Sequence, residues 1–135
     1  MSAADDLQKA IYDHLVADAA IHALVEDRIY DRMPSDGDYP CITFGPSQTV
    51  PEDMDCITAR IETLQLDCWT QSQGRLGPAR VLADAVKTSL HNRALDLATH
   101  ALARLSVEQM RVFGDRDAVT AHGVVVLEAE IEERT

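Results

Sequence analysis

At 135 residues, 46% hydrophobic and 26% charged, the chain has ordinary globular composition and enough length to bury one core, which excludes a disordered segment and leaves little room for a second domain. Its formal net charge of −11 argues against free binding to DNA, because affinity for phosphates comes mainly from Lys and Arg releasing counterions. No run approaches the roughly 20 apolar residues that cross a bilayer, and Met1 to Asp6 lacks the basic and apolar regions of a signal peptide, so no membrane contact is expected and the setting is cytoplasmic or a particle assembled there.

Leu7, Ala10, Ile11, His14 and Leu15 recur at helical spacing behind Ser2, with Asp5 and Asp6 in the first turn, which predicts an amphipathic helix over Ala3 to Ala17. Asp18 can cap a short second turn carrying Ile21, Leu24 and Val25. Arg28 to Arg32 is a short strand candidate, and the stretch from Met33 to Asp38 is turn chemistry. Tyr39 to Phe44 is aromatic and β-branched, with Pro40 suited to a strand's first residue or an edge, and Gly45-Pro46 is expected to end the strand.

Ser47 to Asp55 is polar, acidic and aperiodic, and reads as a mobile loop or hairpin arm. Ile57 to Thr70 is the longest strand candidate. Leu64, Leu66 and Cys68 share one face with Glu62 at its polar end; Ile57, Ala59 and Ile61 have the opposite parity, so a bulge or change of buried face is expected midway. After the loop from Gln71 to Gly77, Pro78 suits the first turn of a helix whose stripe is Ala79, Leu82, Ala85, Val86, Ser89 and Leu90. Leu102 to Phe113 and Thr120 to Ile131 flank the turn Gly114 to Asp117 as a C-terminal hairpin. The order helix, strands, helix, hairpin predicts an α+β fold over residues 1–135 as one domain, its mostly antiparallel sheet packed against two main helices.

No catalytic constellation stands out. Cys41, Cys56 and Cys68 form no Cys-x-x-Cys pair and read as buried thiols. His14, His22, His91, His100 and His122 are scattered, with no i, i+4 pair for zinc, so neither a metal nor another cofactor is expected. Asp115 and Asp117 resemble the Asp-x-Asp of phosphoryl-transferring hydrolases, but too little chain follows for the rest of such a domain, and a polar turn is the simpler reading. Gly74 to Pro78 precedes a helix N-terminus without the Lys and Ser/Thr of a phosphate loop.

The charge is lopsided: residues 1–67 hold 14 acids against 4 Lys and Arg, while residues 68–135 hold 9 against 8. Asp36, Asp38, Glu52, Asp53 and Asp55 stand out in the segment from Glu26 to Asp55, either as a solubilising face or as a wall that repels a polyanion. Tyr39 and Trp69 serve either as anchors at a protein contact or as core aromatics.

The series Tyr30-Asp31-Arg32-Met33-Pro34, Tyr39-Pro40-Cys41-Ile42-Thr43-Phe44-Gly45, Leu64-Gln65-Leu66-Asp67-Cys68-Trp69, Gly74 before a helix ending Ser89-Leu90-His91, then Asp115 to Gly123 resembles the tail terminator, or tail-completion, proteins of long-tailed phages and gene transfer agents. The resemblance implies a non-enzymatic virion subunit, assembled in the host bacterial cytoplasm, that forms a hexameric ring on the head-proximal end of the tail. It implies contacts with its own copies, the tail tube protein and the head-tail connector or stopper protein, with DNA passing through the ring unbound. Asp36, Asp38, Glu52, Asp53 and Asp55 are the candidates for the lumen or a ring face. A head-tail stopper or adaptor, or a minor tail-tube subunit, is the alternative station.

Overall fold

The computed structural model describes residues 2–134. Side-chain caps start the first two helices. Ser2 Oγ accepts the Asp5 N–H at 3.0 Å ahead of α1 (Ala3–Ala17), and Asp18 Oδ1 accepts the Ala20 N–H at 2.9 Å ahead of α2 (Ala19–Val25), so one acidic residue ends the first helix and opens the second. Then follow β1 (Ile29–Tyr30), β2 (Cys41–Pro51), β3 (Ala59–Gln71), α3 (Gly77–Leu90), β4 (Ala101–Gly114) and β5 (Thr120–Glu132). The sheet order is β1-β2-β3-β5-β4, and β1 alone runs parallel to its neighbour. The α+β architecture expected from the element order is therefore observed.

One face of the sheet carries the helices. Leu7, Ile11 and Leu15 of α1, Ile21 and Val25 of α2, and Leu82, Ala83, Val86 and Leu90 of α3 join alternate residues of β3 and β5 in one buried cluster. The close approach of α3 has a local cause: a Cβ on Gly123 would sit 3.3 Å from Cys68 Cβ and 3.6 Å from Ala83 Cβ, so small residues on both sides let the helix lie flat on β5. Ala83 is buried in this contact, whereas Ala85 of the expected stripe is half-buried.

Three expectations need correction. Gly45-Pro46 does not end β2; a bulge between Phe44 and Ser47 passes the strand through Pro46, and pairing resumes from Ser47↔Leu64 to Pro51↔Arg60. Proline is tolerated there because β1 pairs only with Ile42 and Thr43, leaving the rest of β2 as a sheet edge where a missing N–H costs nothing. Of the bulge or change of buried face expected midway in β3, the bulge is absent, since β3 pairs with β5 without a break from Ala59↔Glu132 to Gln71↔Thr120, and the change of face falls near the strand's start, between buried Ala59 and buried Glu62; Ile57 lies before the strand, bridged to Met54 across the turn. Finally, Cys56 is exposed in that turn, at a φ of 66°, while Cys41 and Cys68 are buried as expected.

Two polar ties hold the end of the sheet where β2 turns into β3. Asp6, 1% exposed, accepts the backbone N–H groups of Ala98, Thr99 and His100 at 2.9, 2.8 and 2.9 Å, pinning the α3–β4 connection to α1. Glu62, also 1% exposed, accepts from Thr49 Oγ1 at 2.6 Å and from Arg60 Nη1 at 3.2 Å, and Arg60 also pairs with Glu133 beyond β5. A buried carboxylate needs such partners to remain charged.

Candidate interaction surfaces

The acidic residues singled out in the sequence fall into two groups. Exposed Asp36 and Asp38 lie in the β1–β2 connection, beside the start of β2. Glu52, Asp53 and Asp55, also exposed, lie in the β2–β3 turn at its far end. The length of β2 separates them by about 30 Å at ~3.3 Å per residue, so they occupy opposite ends of the sheet. Asp53 has a local role as well, its carboxylate accepting the Ala59 N–H at 3.2 Å and closing the turn.

Tyr39 and Trp69 sit at the Asp36 end. Tyr39 is 37% exposed and precedes Pro40, across a cis peptide, at the entry to β2. Trp69, the strand partner of Cys41, is half-buried on the sheet face away from the helices. Its indole stacks on His122 with centroids 3.8 Å apart and planes 14° apart, and its Nε1–H donates to Thr43 Oγ1 at 2.9 Å. Trp69 is thus tied down on both its apolar and its polar side, as a half-buried indole requires.

Around Trp69 is a cluster that sequence reading did not find. His122 Nε2 lies 2.7 Å from Asp67 Oδ1, which also accepts from Gln65 Nε2 at 2.8 Å; Phe113 meets His122 edge-on at 4.9 Å, and the Arg111 guanidinium lies 5.3 Å from the Phe113 ring centre. These residues come from three neighbouring strands and share the open sheet face. Period-two alternation placed Trp69 and Asp67 on a common face, but their partners on β4 and β5 depend on strand register.

A carboxylate–imidazole pair beside thiols invites a test for nucleophilic chemistry, and the thiols fail it. Burial pushes the Cys41 thiol up to about 11 and raises that of Cys68 further, so both remain protonated at neutral pH, where the thiolate is the nucleophile. Among the described residues no three His, Cys, Asp or Glu side chains converge to hold a metal ion. The Asp115 to Asp117 segment is a turn between β4 and β5: Asp117 accepts the Val119 and Thr120 N–H groups at 3.0 and 2.8 Å and the Thr120 hydroxyl at 2.6 Å, bonds that lower its pKa, that hydroxyl foremost.

These features define a small α+β protein with helices on one sheet face, a polar-aromatic cluster on the other, and acidic groups at both ends. Residues 9–132 match the family of tail completion protein gp17, and the chain belongs to that family. The fold is similar to a chain in the virion of a native gene transfer agent particle, with 23% identity, coverage of 97% of this chain and 98% of that one, and a TM-score of 0.89. It is also similar to the gp17 protein of bacteriophage SPP1, with 20% identity, 98% and 92% coverage, and a TM-score of 0.60. No curated protein matches the chain in sequence.

Proposed function

We propose that this chain is the tail terminator of a phage or gene-transfer-agent particle, a structural and non-enzymatic subunit that forms a hexameric ring on the head-proximal end of the tail tube. Family membership over nearly the whole chain carries the reading. The chain acts as one domain, binding its own copies, the tube below and the head connector above. A cap must present different surfaces to its neighbours, and a ring of identical copies must close head to tail through two unlike patches. The two ends of the sheet are unlike, and both carry acids: Asp36 and Asp38 at one end, Glu52, Asp53 and Asp55 at the other. Such charge suits a channel wall or rim that lets DNA pass without sticking.

Deleting the gene tests the station in the particle. The expected result is DNA-filled heads without tails, with free tails that are unstable or overlong. Stable free tails of normal length would place the subunit on the head side as a stopper or adaptor, absent tubes would make it a tube component, and normal infectious particles would refute a structural role.

A further inference from the structure

Exposed apolar side chains gather at one turn. Val50, Met54 and Ile57 are 48%, 55% and 39% exposed at the tip of the β2–β3 hairpin, beside Glu52 and Asp55. The tip stands on a braced base, because the pairing of Arg60 with both Glu62 and Glu133 and the Thr49–Glu62 hydrogen bond join β2, β3 and the chain beyond β5. At the opposite edge of the sheet, α3 and β4 enclose an open groove of about 280 Å³ lined by Arg80, Ala83, Asp84, Met110 and Val112. Its floor is apolar. Arg80 stands at its wall, with Lys87 further along α3; Asp84 is the acid between them, one helical turn from both.

We infer that the hairpin tip of one copy seats in the α3–β4 groove of a second copy, Met54 and Ile57 filling the groove and Glu52 and Asp55 meeting Arg80 and Lys87. This rests on the ring reading above and names the surfaces that close it. Charge complementarity selects the occupant: an acidic tip with apolar side chains fits an apolar groove whose helix wall carries two bases, Arg80 and Lys87, to the one acid Asp84. Topology selects the second copy. Tip and groove lie on opposite edges of one sheet, so a chain cannot fill its own groove, and repeating the contact uses both patches of every copy. Strand-to-strand joining is the weaker alternative, because Pro46 and Pro51 break the donor row of β2 and the chain itself covers part of the β4 edge.

The natural thiol at Cys56 supplies the test, since Cys41 and Cys68 are buried. Assembled particles carrying Arg80→Cys are oxidised mildly with diamide and run on non-reducing gels. The expected result is a ladder of covalent multimers of this chain, lost in Arg80→Cys/Cys56→Ser and much weaker in Tyr12→Cys, which places an exposed thiol on α1 beside Asp31 and Phe44, on the β1–β2 side away from the groove. A ladder no stronger than that of Tyr12→Cys, or cross-links to a different particle protein instead, overturns the inference. As a second arm, Arg80→Glu should lower ring assembly at least tenfold and Glu52→Arg/Asp55→Arg should restore part of it; equal assembly in all variants also overturns the inference. Averaged images separate the two levels: a six-fold ring without these cross-links sinks this contact alone, whereas absence of any ring sinks the proposed function as well.

Discussion

Replacing Asp6 with Asn removes little volume and one charge from a site that three backbone N–H groups share. Oδ2 accepts from Thr99 and His100 and Oδ1 from Ala98, so the Asn carbonyl can keep two neutral hydrogen bonds while its NH2 group faces the Ala98 N–H, donor against donor. Losing one charge-assisted bond and weakening two more costs about 3 kcal/mol, or about 10 °C in Tm for a domain of this size. The pH dependence has a definite sign. Burial raises the Asp6 pKa, but the bonds from His100, Thr99 and Ala98, together with the charge of His100, outweigh it and hold the folded value below 3.8. A lowered folded pKa contributes stability that is present above the unfolded value and is lost as pH falls through the folded one. Urea unfolding at neutral pH should therefore show the full cost of Asp6→Asn, and the gap to the unaltered chain should narrow at about pH 3. Amide exchange at Ala98 to His100 should quicken in the variant. A cost under about 1 kcal/mol at neutral pH, against the roughly 3 kcal/mol expected from the lost bonds, or a gap unchanged at low pH, would refute the assignment of Asp6 as a latch.

Two further outcomes follow from the surfaces. Thr43→Val removes the acceptor of the Trp69 indole N–H and should cost about 1 kcal/mol, with a change in emission from the chain's one tryptophan; an unchanged emission spectrum would mean that the hydrogen bond does not hold in solution. Asp36→Asn/Asp38→Asn and Glu52→Gln/Asp55→Asn should each alter unfolding by less than about 0.5 kcal/mol per site yet impair ring docking or DNA delivery, and full titre with normal delivery from both pairs would refute the acidic surfaces.

What the sequence made legible is what local chemistry decides. Ser2 and Asp18 cap the helices expected of them, and the alternation of Thr120 to Ile131 yields β5 nearly to the residue. Gly45-Pro46 misled because turn residues at a sheet edge look the same as turn residues ending a strand; the absence of a neighbour on that side decides which occurs. Asp6 was legible as a charge favourable to a helix N-terminus, but its partners lie at Ala98 to His100, in a connection without periodicity. The Trp69 cluster was half legible for a similar reason, since His122 and Phe113 reach it only through the register of β5 and β4. The separation of the five acids was not legible, because nothing local marks the run from Cys41 to Pro51 as one continuous strand that holds Asp36 and Asp55 far apart.

The edge of β4 bears on how such a subunit avoids growing into a fibre. The Asn92 N–H donates to Leu105 O and the Val107 N–H to His91 Nδ1, both at 2.9 Å, and register shifts between Leu102 and Arg104 and between Val107 and Gln109 interrupt the strand on either side. An open backbone edge accepts any extended chain regardless of sequence, and stacked copies joined that way have no terminus. With those groups occupied internally and the strand broken on either side, the middle of this edge offers no continuous ladder, and association there is left to side chains that must match in shape and sign. Under the proposed function, subunits not yet on a tail would then stay separate, with recruitment set by the template they meet instead of by their own concentration.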